Sequence, residues 1–131
     1  MSGLSSPPQG EISKDRWSPL LNDITRDYRG AHARVEVLGP EAGYNVETEN
    51  RPFAGLSADT KDGENAVWIL FGSEVENHLA HGVQGVTNIR MPPPASAGGE
   101  LVLEIEAGDR TKTILTLTQP ELFELPPAEG R

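Results

Sequence analysis

The chain of 131 residues contains no cysteine. That absence closes disulfide frameworks, thiolate nucleophiles and every zinc or iron–sulfur site built on cysteine. Long apolar runs are missing as well. The longest, Ala66 to Phe71, has six residues, where a membrane-spanning helix needs roughly 18. Basic residues are scarce: 11 Lys and Arg stand against 20 Asp and Glu, for a net charge of −9. Such a balance opposes phosphate backbones and anionic bilayers, so neither nucleic acid nor a membrane is expected as a partner. The nearest approach to a basic cluster, Lys14, Arg16, Arg26, Arg29 and Arg34, is diluted by Asp15, Asp23 and Asp27. Met1 to Gln9 lacks a basic stretch followed by an apolar one, so the expected address is the cytoplasm. The excess acidity reads as a solubility feature.

What is present is a pattern for folding. The length suits one domain. Residues 1–11, rich in Ser, Pro and Gly, read as a disordered tail, 12–120 as a single domain, and 121–131 as a C-terminal tail. Trp17, Leu20, Leu21, Ile24 and Tyr28 fall at relative positions 0, 3, 4, 7 and 11, one stripe of an α-helix. Two starts fit Pro19: a helix from near Asp15 with the proline in its first turn, or one capped by Ser18. Gly30 is the natural stop.

Beyond Gly30 the period becomes two. Ala31, Ala33, Val35 and Val37 alternate with His32, Arg34 and Glu36, the pattern of a half-buried strand with His32 facing solvent. Further strands are expected over Tyr44 to Thr48 and Phe53 to Thr60. Asp62-Gly63 then predicts a type I′ hairpin turn, with Ala66 to Phe71 returning as a strand buried on both faces. Trp17 and Trp68 are both expected in the core, and an exposed indole would mark a binding face. Residues 73–82 fit either a helical turn or a loop. Val86 to Met91, then the hairpin Leu101 to Glu106 and Thr113 to Thr118, complete the series. The expected fold is α+β: an N-terminal amphipathic helix on an antiparallel, strongly curved sheet or a small, partly open β-barrel of five to seven strands.

The order of these pieces has a counterpart. Trp17 to Gly30, the run Val35 to Pro40, Leu56 to Asp59 with Lys61-Asp62-Gly63, and His78 to His81 together resemble bacterial proteins grouped as domain of unknown function 5335. The likeness spans about Ile12 to Thr118. It implies a small soluble bacterial protein and carries no catalytic residue onto the chain.

Chemistry has few candidates. On a helix, His78 and His81 would share a face with Glu74, and two imidazoles with a carboxylate can hold a divalent metal. Ordinary polar surface explains the same residues, and on an extended segment the two imidazoles would point apart. Ser57 and Ser73 lack the strand-to-helix elbow of a nucleophile. Glu100, Glu104 and Glu106 alternate as a strand's wet face would. Leu122, Phe123 and Leu125 in the C-terminal tail are candidate partner-binding residues. No cofactor is expected, and a divalent metal enters only with the histidine pair.

The leading expectation is a non-enzymatic binding or accessory module for a protein partner or a second copy of itself. The alternative is a metal-binding protein or small metal-dependent enzyme using His78 and His81. A small ligand held in the mouth of a barrel is a third reading.

Overall fold

In a computed structural model of the chain, which describes residues 10–41, 43–72, 79–92 and 100–119, the apolar stripe forms α1 (Trp17–Tyr28). A single 3₁₀ turn, Lys14–Arg16, leads into it and leaves Pro19 in the first helical turn, where its missing N–H costs nothing. Trp17, Leu21 and Ile24 are buried, with Leu20 and Tyr28 partly so. The buried Trp17 indole donates to the Ile12 carbonyl at 3.1 Å, tying the start of the helix to the chain ahead of it.

The described residues form eight strands: β1 (Glu11–Ile12), β2 (His32–Gly39), β3 (Gly43–Asp59), β4 (Ala66–Phe71), β5 (Leu79–Val83), β6 (Val86–Arg90), β7 (Glu100–Ala107) and β8 (Lys112–Thr118). They form one antiparallel sheet in the order β1-β6-β7-β8-β2-β3-β4-β5. The α+β expectation holds, but the strand number and the barrel do not. Two stretches read as separate strands, around Tyr44 and around Phe53, are one continuous β3, while β1 and β5 are additional. Nor, among the described residues, does the ladder close. Its outer strands are β1 and β5, and β1 has only two residues, too short to seal an edge. After β5, Gln84 and Gly85 lead straight into β6, which pairs with β7 and β1 instead.

Strand β3 changes partner along its length. Up to Pro52 it pairs with β2, and from Phe53 onward with β4. Near the changeover Asn50 sits at φ 61°, a left-handed conformation that asparagine tolerates better than most residues, and the register shifts between Phe53 and Gly55. Where β3 has left β2, α1 covers the vacated edge. The Leu56 amide donates to Thr25 Oγ1 at 2.9 Å, and that hydroxyl in turn donates to the Leu21 carbonyl at 2.7 Å. One threonine thus satisfies a strand amide that would otherwise be orphaned.

Two turn details differ from the sequence reading. The link between Asp59 and Ala66 contains a 3₁₀ turn, Lys61–Gly63, with the Glu64 amide donating to the Lys61 carbonyl, and not a two-residue I′ turn. Gly63 supplies the positive φ, 77°, that lets the chain return. The clear hairpin of β7 and β8 forms as its alternation predicts, with Leu103, Ile105, Leu115 and Leu117 completely buried against Val35, Ile69 and Phe71.

Candidate functional site

The exception to the folding pattern is β4. Although its six residues are all apolar, only Ala66, Val67, Ile69 and Phe71 are buried; Trp68 is 37% and Leu70 38% exposed. The expectation that this strand is covered on both faces is therefore corrected, as is the placement of Trp68 in the core. The reason is geometric. Alternate side chains of a strand face opposite ways, and among the described residues no element is layered over the outer face of β4, since α1 packs on β3.

Trp68 does not stand free on that face. It pairs across the ladder with Gly82 of β5, and its ring covers the glycine so closely that a Cβ there would lie 2.5 Å from a ring carbon. Leu70 pairs with Ala80, and Phe71 with Leu79, which is 44% exposed. Ala54, Leu70, Phe71, Leu79 and Ala80 surround an apolar hollow of about 380 Å³. The outermost hairpin of the sheet thus displays an indole and a leucine on its outer side, while Leu79, opposite the buried Phe71, is exposed on the other face and reaches the same hollow.

The neighbouring surface is different in kind. On β2 and β3, Leu38, Tyr44 and Val46 are also exposed, but a polar network runs beside them. Tyr44 Oη donates to Glu36 at 2.6 Å, and Arg34 ion-pairs with Glu49 at 2.6 Å and Glu36 at 3.5 Å. Among the described residues, the first half of β3 is paired on one side only. It carries Glu47, Glu49 and Arg51 and an irregular register with β2, features that discourage strand addition. Strand β5, Leu-Ala-His-Gly-Val, has neither lysine nor proline nor a bulge.

At the other end of β5 lies a cleft of about 370 Å³, lined by His81 to Gln84 together with Val37, Glu47, Ala107, Asp109, Thr111 and Thr113. No lysine or arginine is among its described lining residues. The Asp109 carboxylate accepts from the Thr111 amide at 2.9 Å, and this bond holds its pKa below the ordinary 3.8.

Of the residues singled out from sequence, His81 is the one metal candidate within the described residues, and it lies on a strand opposite Ile69, not on a helix. Glu74 and His78 lie outside the described residues, as do Leu122, Phe123 and Leu125. Among the described residues, no group of three His, Asp or Glu is placed to hold a metal ion. No described helix is long and apolar enough to cross a membrane. Sequence reading missed the pairing of Trp68 with Gly82. Its signal was an aromatic inside an apolar run and a glycine inside what proved to be a strand, which often marks close approach by another group.

The comparisons agree with the resemblance. The model of a family described as "Family of unknown function (DUF5335)" matches residues 9–126, reaching beyond the span from Ile12 to Thr118 at each end. A protein from Aquifex aeolicus (strain VF5), described as an uncharacterized protein, is 30% identical over 70 residues, which is 53% of this chain and 60% of that relative. No solved structure matches. The chain therefore belongs to the family of unknown function DUF5335.

Proposed function

We propose that this domain is a non-enzymatic binding module whose recognition surface is the outer face of the β4–β5 hairpin and the edge of β5, unpaired among the described residues, and whose partner is a protein, a second copy included. The observation that carries this reading is the exposure of Trp68 and Leu70 on the outer face of β4, with Leu79 of the edge strand exposed at the same hollow as Leu70. Large apolar side chains gathered around a hollow, at an edge lacking the usual protections against pairing, are what a protein-binding face requires. Leu70 and Leu79 are 38% and 44% exposed. Completing their burial would contribute on the order of 1 kcal/mol each, and the half-exposed indole at least as much. The net charge of −9 keeps such a module soluble while its apolar face is unoccupied.

The test compares the native chain with Trp68→Ser/Leu70→Thr in capture of partners from a bacterial lysate and in sedimentation. A partner, or a self-association, that the native chain shows and the folded double variant loses supports the reading. Equal behaviour of the two proteins contradicts it.

A further inference from the structure

Both hollows described above lie along the same five-residue strand. Toward the start of β5, Leu79 and Ala80 border the apolar hollow with Leu70 and Phe71. Toward its end, Val83 and Gln84 border the cleft that carries Glu47 and Asp109. Between them, among the described residues, β5 is paired on one side only, with β4. An edge strand offers unpaired N–H and C=O groups, and an extended segment that pairs with them takes its affinity from the backbone and its selectivity from the pockets alongside. Five residues of strand cover about 17 Å, so one added segment reaches both hollows.

Charge and polarity decide what that segment contains. The cleft is lined by the carboxylates of Glu47 and Asp109 and by no described lysine or arginine, and so favours a cation. The other end presents only apolar groups. Every ladder in the sheet is antiparallel, and the same sense at its edge sets the direction. We infer that β5 accepts a short extended segment of a partner protein, running antiparallel to it, with lysine or arginine in its N-terminal half and apolar residues in its C-terminal half. This inference rests on the protein-binding reading and specifies its ligand.

The probe is a capped six-residue peptide with lysine and arginine first and valine and isoleucine last, titrated into the full chain by calorimetry, with the amide signals of residues 79–83 followed by NMR. Two control peptides carry the same composition in reversed order, or glutamate in place of the basic residues. The expected result is at least about tenfold preference for the basic-first peptide, with shifts centred on Leu79 to Val83. Glu47→Gln/Asp109→Asn should reduce that preference severalfold. Equal binding of the reversed peptide, shifts elsewhere on the molecule, or no binding overturns the inference. So does a concentration-dependent dimer that excludes the peptide, which would assign the edge to a second copy. Should the peptides fail while Trp68→Ser/Leu70→Thr still abolishes partner capture, the binding-module reading stands and only the ligand assignment falls.

Discussion

The Trp68 indole covers Gly82 on the neighbouring strand, filling the space where a side chain would begin. Glycine ordinarily weakens a strand, and an aromatic partner that covers it restores the lost contact. The sign of a substitution at Gly82 should therefore depend on its neighbour. Gly82→Ala in the native background forces the ring outward and should cost about 1 kcal/mol, with a red shift in indole emission. In a Trp68→Thr background the same change should stabilise by about 0.5–1 kcal/mol, the usual gain on replacing a strand glycine. Urea unfolding of the four proteins measures this, and the same sign in both backgrounds would contradict the packing.

Thr25 joins the helix to the sheet through one oxygen. Thr25→Val keeps the shape but leaves the Leu56 amide without its acceptor, and should lower stability by about 1–3 kcal/mol. Thr25→Ser, which keeps the hydroxyl, should retain most of it. Comparable losses in both would show that the methyl group and not the hydrogen bond matters.

These two contacts mark the boundary of what sequence pattern conveys. The helix, the alternation in β2 and the β7–β8 hairpin were legible because each rests on local periodicity: Trp17, Leu21 and Ile24 must share a face whatever surrounds them. The exposure of Trp68 was not legible. Its run of apolar neighbours suits a strand covered on both sides equally well, and whether a second layer exists is a matter of long-range geometry. The continuity of β3 through Asn50 and Pro52 was hidden for a related reason. Proline and a left-handed residue signal a break in the ladder, and here they produce a change of partner strand within one element. Of the metal candidates, only His81 lies within the described residues, on β5.

Arg110 occupies the β7–β8 turn at φ 74°, a conformation costly for a side chain with a Cβ. Arg110→Gly should therefore raise stability, by up to about 1 kcal/mol after the added freedom of the unfolded chain is deducted. Thermal unfolding checks this. A fall in Tm would indicate that the arginine side chain contributes more than its backbone costs.

Asp109 contributes to the same turn through its bond to the Thr111 amide, and its folded pKa lies below 3.8. A depressed carboxylate stabilises the folded state above its unfolded pKa, and that contribution is lost as pH falls through the lower folded value. Asp109→Asn should accordingly be less stable than the native chain at neutral pH, with the gap closing as the solution is taken below about pH 3.8. Denaturant midpoints across that range measure it. A gap that widens in acid would reverse the assigned sign.

The most direct measurement of the central claim places a photoreactive aromatic residue at position 68, where it can still lie over Gly82, and compares it with the same residue at Thr116 on the outer side of β8. Irradiated in a native lysate, position 68 should cross-link to a discrete protein or to a second copy of the chain, while position 116 should not. Cross-linking from both positions alike, or from 116 alone, would contradict the assignment of the β4–β5 hairpin as the binding surface.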